Sequence, residues 1–288
     1  MESGLTRIAR ERAKLDLRGS RRGRYAAGMG RIIAAFLVIS LAPAWQAGAQ
    51  SRSDRVPVLA ELFTSEGCSS CPPADRILEL LAHEPPVDGI DVIIMSEHVT
   101  YWDHQGWRDP FGSSTFTSRQ QMYGEWFKLE SVFTPQLVID GASQIVGTDI
   151  AALKAALVKS AAKPKPRLTI ELRENGPQGL MATVSGLGAA TADAELVWAV
   201  TEDNLEVEVK RGENARRTLH HSGVVRWFSA KKITGGPATP APIEIPLRAE
   251  WKRDRLRVVA FVQSARNREV LSVGAVSVQA PQPRNTPR

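Results

Sequence analysis

The chain has two cysteines, Cys68 and Cys71, and they stand two residues apart in GCSSCPPAD. That spacing admits three chemistries: half of a metal clamp, a small structural disulfide, or a pair that exchanges disulfides with a substrate. Structural zinc takes four ligands, commonly two such pairs or one pair with two histidines, and there is no second cysteine pair. A disulfide across two residues closes a very short loop. The chain-entropy argument assigns it less than the ~3 kcal/mol of a fifteen-residue loop. Such a bond is a weak staple and a good reactive group, so the residues favour redox exchange. A non-catalytic secreted binding protein with a passive disulfide is one alternative. A copper carrier is another, because thiolate and imidazole suit that metal.

The residues around the pair assign roles. Ala74, Ile77, Leu78 and Leu81 recur at the i, i+3, i+4, i+7 spacing of one helix face, which predicts a helix over Pro72–Ala82. Cys68 then stands just ahead of a helix, where unpaired backbone N–H groups favour a thiolate. It becomes the attacking sulfur, and Cys71 the one that resolves the mixed disulfide. Pro72 and Pro73 fit the first helical turn, where an N–H has no intrahelical partner. Glu66 and Asp75 disfavour a thiolate nearby, and Arg76 favours one. His98 is a candidate proton-transfer partner for the thiols. His98, Asp103 and His104 lack a tight ligand spacing, and no metal or other cofactor is assigned. Trp102, Trp107 and Phe111, in the same polar and aromatic stretch, are expected to fill a satellite core.

These residues need elements to hold them. Val58–Thr64 and Asp91–Ser96 read as strands, Ser114–Leu129 as a helix, Gln136–Asp140 and Gln144–Gly147 as a hairpin, and Asp149–Lys159 as a last helix that Thr148 can cap. The order is β-α-β-α-β-β-α, with CxxC where the first strand enters its helix. That pattern predicts an α/β thioredoxin-like domain over residues 56–162. Lys163-Pro164-Lys165-Pro166 breaks it as a linker. Beyond it, short strands separated by turn residues predict an all-β, sandwich-like domain over 167–279, followed by a Pro-rich disordered tail, 280–288. In that half, the charged hairpin VKRGENARRTLHH is expected to be a solvated tip, with His220 and His221 on opposite faces of a strand.

The start of the chain reads as an export signal. Ile32–Ala44 is a run of thirteen residues, apolar but for Ser40, flanked by Arg31 and by Ala47-Gly48-Ala49. A membrane span needs about 20 apolar residues, so residues 1–49 are expected to be a leader with a signal peptide cut before Gln50. Met29 would start a compact signal peptide by itself. The mature protein is then periplasmic or secreted, with no stable membrane span after leader cleavage.

The net charge of +6 also belongs to the leader, which holds nine Lys/Arg against three Asp/Glu. The remaining chain has 28 of each sign and lacks the basic footprint of a nucleic-acid binder. It is split, however: net −8 over 54–162 and +7 from 163 onward. Such an asymmetry predicts faces that attract each other.

The segments ELFTSEGCSSCPPAD, EHVTYWDHQGWRDPF, VFTPQLVIDG and VKRGENARRTLHHSGVVR together resemble a bacterial family of secreted thioredoxin-like proteins of unknown function. The resemblance runs from about Val56 to Val276. It implies a thioredoxin-fold domain with a conjoined β domain, and export, without supplying a reaction. It also implies that Thr134-Pro135, directly before the strand QLVID, carries a cis bond beside the cysteines and shapes a substrate groove. Gly67 precedes the first cysteine where better-known thioredoxins carry a bulky Trp, so an aromatic lid is expected to be missing. The partners expected are protein or small-molecule thiols and disulfides, and the sequence leaves the oligomeric state open.

Overall fold

The structure is a computed structural model, and it describes residues 54–163, 165–176, 178–188, 193–233 and 240–279. The expected leader, the start at Met29 and the tail lie outside these residues. The first elements are β1 (Val56–Thr64), α1 (Pro72–His83), β2 (Ile90–His98), α2 (Ser114–Trp126), β3 (Gln136–Ile139), β4 (Ser143–Val146) and α3 (Ile150–Ala161). Then follow β5 (Thr169–Glu174), β6 (Gly179–Ser185), β7 (Ala194–Glu202), β8 (Leu205–Val209), β9 (Arg217–His221), β10 (Val224–Lys232), β11 (Ile243–Pro246), β12 (Leu256–Ser264) and β13 (Val270–Ser277).

These elements do not sort into a thioredoxin-like α/β domain followed by a separate β-sandwich, and the expected fold class is corrected. One mixed sheet of eight strands, in the order β13-β12-β7-β10-β2-β1-β3-β4, takes four strands from each half of the sequence. The junction is β10 against β2. Val224 pairs in parallel with Ser96, and the Ser96 N–H donates to the Gly223 carbonyl at 2.7 Å. Gly223 has φ +68°, and a Cβ there would lie 2.9 Å from the Ile94 side chain. Only glycine allows both the turn and this approach. With β10 attached, the outer edge of β2 no longer ends the sheet, and β7, β12 and β13 continue it antiparallel. An unpaired strand edge is a liability, and here the chain's own later strands cover it.

Both faces of the large sheet are buried. Val58, Ala60 and Leu62 of β1 point to a core with Leu78 and Leu81 of α1 and Leu153 and Leu157 of α3. Leu59 of the same strand points to the other face, into a core with Phe116 of α2, Val197, Val259 and Phe261. This two-sided burial explains why VLAELFT reads as a continuous apolar run. A three-stranded sheet, β11-β6-β5, covers β7 and β12 through Leu180, Val184, Ile245, Trp198 and Val258. β8 and β9 form a separate hairpin. The cap of α3 is Asp149, whose side chain accepts from the Ala152 N–H at 2.9 Å, rather than Thr148.

The expected linker is bound to the body. The Lys165 ammonium lies 2.6 Å from the buried Asp140 carboxylate, and Arg167 NH1 lies 2.7 Å from Asp91. The split of charge along the sequence thus appears as particular pairs. No helix among the described residues is long and apolar enough to cross a membrane.

Candidate active site around the Cys68–Cys71 disulfide

β1 ends at Thr64, and the chain turns through Ser65-Glu66-Gly67 into the cysteines. Cys71 caps α1, with Pro72 and Pro73 in its first turn, and the Ala74 and Asp75 N–H groups donate to the Cys71 carbonyl. The two sulfurs are joined in a disulfide. Ser69 and Ser70 are exposed, while both cysteines are 0% exposed. The Cys68 sulfur lies 3.4 Å from the Ser70 hydroxyl.

A clamp from the far half of the sequence holds this loop. The tip of the β8–β9 hairpin, read from sequence as solvated, places Asn214 in full burial. Its Nδ2 donates to the Glu66 and Cys68 carbonyls at 2.9 and 2.8 Å, and Arg217 NH1 donates to its Oδ1 at 2.9 Å. Beside it, the Glu213 carboxylate accepts from the Ser69 N–H at 3.2 Å.

Behind the disulfide loop lies a buried cluster of acids and imidazoles. His98, at the end of β2, places Nδ1 2.7 Å from Asp109 Oδ2. The same carboxylate accepts from the Glu66 and Phe111 N–H groups, both at 2.8 Å. Burial pulls the His98 pKa down, but the charge and hydrogen bond of Asp109, joined by Asp75 and Glu66, raise it above the ordinary value. Burial pushes Asp109 up, and His98 with the two backbone donors outweighs it, leaving Asp109 lowered. Asp75, one turn into α1 from Cys71, is raised, chiefly by burial, against His221, His98 and the Thr64 hydroxyl that donates to it at 2.9 Å.

His221, from β9, completes the cluster. Its Nε2 lies 3.3 Å from Glu66 Oε1 and its Nδ1 3.9 Å from Asp75 Oδ2. Its ring packs edge-on to His98, with centroids 4.9 Å apart. Neither nitrogen of His221 has a hydrogen-bond partner, nor has His98 Nε2 or Glu66 Oε1, although all are buried. His221 Nε2 and Glu66 Oε1 face each other outside hydrogen-bond geometry, while His98 Nε2 and His221 Nδ1 have no close partner among the described residues; such under-bonded buried groups are costly and commonly serve chemistry rather than stability.

The aromatic stretch does more than fill a satellite core. Trp107 Nε1 donates to Glu66 Oε2 at 2.7 Å, and Phe111 packs against both imidazoles. Trp102 lies over Gly67, where a Cβ would meet its Cβ at 2.9 Å, and its indole donates to Thr134 Oγ1 at 2.8 Å. Trp102 thus occupies the space that a side chain at position 67 would need, which fits a glycine ahead of Cys68. Thr134-Pro135 has a cis peptide bond.

Of the residues singled out from sequence, Glu66, Asp75 and His98 join the buried cluster behind the cysteine loop, and Thr134 lies apart from it, accepting from the Trp102 indole. Arg76 is exposed on α1, and His104 is exposed. Asp103 accepts from the Asp109 N–H. Asp109, Asn214 and His221 were missed as site residues. The signal for His221 was the strand alternation in Leu219-His220-His221, which puts His220 outside and His221 inside. Among the described residues, no group of three or more His, Cys, Asp or Glu is arranged to hold a metal ion.

The family model described as "Protein of unknown function (DUF1223)" matches residues 59–263, a span that holds the cysteines, the cluster and the clamp. The chain belongs to this family. A DUF1223 chain of this kind also has likenesses of fold among solved structures. A protein of Agrobacterium tumefaciens covers 81% of this chain and 98% of its own, at 24% identity and TM-score 0.59. HBP35 of Porphyromonas gingivalis covers 83% of this chain and 80% of its own, at 16% identity and TM-score 0.54. No curated protein matches.

The His98–Asp109 pair gives the DUF1223 site a pH signature. A raised histidine contributes stability that is fully present below its unfolded pKa, about 6.5, and is lost as pH rises through the folded value. Asp109, being lowered, contributes stability that is present above its unfolded pKa and lost as pH falls through the folded one. Urea midpoints should therefore decline from pH 6.5 into weak alkali, and His98→Gln should flatten that decline. An equal slope in the variant would exclude His98 as its source.

Proposed function

We propose that this DUF1223 protein is an exported thiol–disulfide oxidoreductase whose reactive group is the Cys68–Cys71 pair. The observation that carries the reading is the buried His98–Asp109–Glu66–His221–Asp75 cluster, with its unsatisfied polar atoms, packed behind a disulfide at the head of α1. A cluster of groups that can hold or pass a proton, placed there, serves thiols that must gain and lose protons during exchange. From the reduced state, the Cys68 thiolate attacks one sulfur of a substrate disulfide. A mixed disulfide forms and the other substrate sulfur leaves and takes a proton. The Cys71 thiolate then attacks Cys68, the protein disulfide forms, and the second substrate thiol leaves with the two electrons. The reverse sequence oxidises a substrate dithiol. Thr134 and Pro135 border the substrate side.

The zero exposure of both cysteines favours a second reading, a binding protein with an inert disulfide. The reduction potential separates the two. Equilibration of the protein against glutathione or dithiothreitol buffers, read by alkylation and mass spectrometry, should give a value between about −120 and −270 mV, the range of exchange proteins. A value below about −300 mV, or reduction only on unfolding, would sink the redox reading and leave the binding protein.

A further inference from the structure

A second site lies on the other side of Phe111 from the imidazoles. It is a half-open cavity of about 310 Å³, between the start of α2, the first residues of β10 and the segment before β12. Five aromatic side chains, Phe111, Phe116, Trp227, Phe228 and Trp251, share its lining with polar groups. Two arginines line it, Arg226 and Arg248, with guanidinium carbons 5.7 and 5.9 Å from the Trp251 ring. Arg226 also lies 5.0 Å from the Phe111 ring. The N-terminal end of α2, a thirteen-residue helix capped by Ser113, opens on the same cavity and adds a partial positive charge.

One buried group there has no partner. Trp251 is 5% exposed, lines the cavity, and its indole Nε1 makes no hydrogen bond. A buried Trp N–H normally finds an acceptor. The acceptor that fits is one brought by a ligand. The counter-charges set its valence. Glu202 lies 3.4 Å from Arg226, and Glu250 lies 3.9 Å from Arg248. A guanidinium has five donors and each glutamate engages few of them, so both arginines keep donors for a further acceptor. Because two positive charges already face two negative ones, a singly charged anion suits the site better than a phosphate. A planar carboxylate matches the guanidinium fork, and the aromatic side chains favour a planar apolar body.

We propose that this cavity binds a small aryl carboxylate, with the carboxylate on Arg226, Arg248 and the Trp251 indole N–H and the ring among the aromatic side chains. The site is independent of the redox reading and stands or falls separately from it. The test is titration of the full chain, disulfide intact, with phenylacetate, phenylacetamide and inorganic phosphate. Calorimetry and the indole N–H resonances, with the Trp251 signal assigned through Trp251→Phe, read the binding. Phenylacetate should bind saturably and shift the Trp251 signal, at least tenfold tighter than phenylacetamide. Arg248→Gln, at an exposed side chain that leaves folding intact, should weaken it at least tenfold, and Arg226→Gln should abolish it. Absence of saturable binding, equal binding of the amide, phosphate binding as tight as phenylacetate, or an unaltered affinity in Arg248→Gln would each overturn the proposal.

Discussion

Replacing Arg119 with methionine is expected to cost about 3–5 kcal/mol of folding stability, the scale for removing one partner of a buried ion pair. Arg119 lies on α2 with its side chain almost fully buried, 2.6 Å from Glu61 of β1 and 3.6 Å from Glu97 of β2. It also donates to Tyr123 and to Gln263 of β12, and its guanidinium carbon lies within 5.4 Å of the Tyr123, Phe228 and Phe261 rings. Two carboxylates share this one cation. Burial, then repulsion by Glu61, raises the Glu97 pKa well above the ordinary carboxylate value against the pull of Arg119. That shift disfavours a negative charge on Glu97, so the carboxylate charge that Arg119 balances is chiefly that of Glu61, the nearer of the two. Methionine fills the volume but leaves that charge alone in the core. The melting temperature should fall by roughly 6–20 °C for a domain of this size. In a Glu61→Gln background the same substitution should cost much less, because no charge is stranded. A loss in Arg119→Met below about 1 kcal/mol would mean that water reaches Glu61 and the pair is not buried in solution.

The second large effect is expected at Asn214. Its amide satisfies two buried carbonyls, those of Glu66 and Cys68, and it arrives from a hairpin about 146 residues away in sequence. Alanine leaves both carbonyls without that donor and loosens the hairpin's hold on the cysteine loop, where Glu213 still accepts from the Ser69 N–H. A buried group left unsatisfied costs about 1–3 kcal/mol. If the loop must open for a reductant to reach the sulfurs, a loss near 2 kcal/mol in the closed state raises the open population ~30-fold. Reduction of the disulfide by dithiothreitol, followed by alkylation, should accelerate by about that factor in Asn214→Ala. The rate should respond far more than the far-UV spectrum, because the hairpin is outside the large sheet. An unchanged rate would show that the sulfurs are reached without the hairpin moving.

Much of this molecule is local and was legible in the chain. The helix after Cys71 follows from the spacing of Ala74, Ile77, Leu78 and Leu81 and from two prolines where a helix tolerates them. The strand at Val58–Thr64 follows from a run of apolar residues, and the His220–His221 alternation from the two-residue period of a strand. The cysteine pair declared a disulfide or a site by spacing alone. These features depend on residues within a few positions of one another. What the tertiary structure alone decided is non-local. Strand β2 offers one edge to β1, and nothing in DVIIMS states that the other edge will be met by Val224, 128 positions later by the numbering. The division into an α/β unit and a β-sandwich failed at that edge, since strand periodicity encodes which face is buried and not which strand is adjacent. The site divides in the same way. Glu66, Asp75 and His98 lie on or beside the elements around the cysteines and could be read from proximity in sequence. Asn214 and His221 come from a hairpin that is close only because β10 docks on β2 and carries β9 back over α1. A backbone donor pairing or an imidazole packed on a distant carboxylate leaves no periodic trace in the sequence, because its partner is chosen by the path of the folded chain.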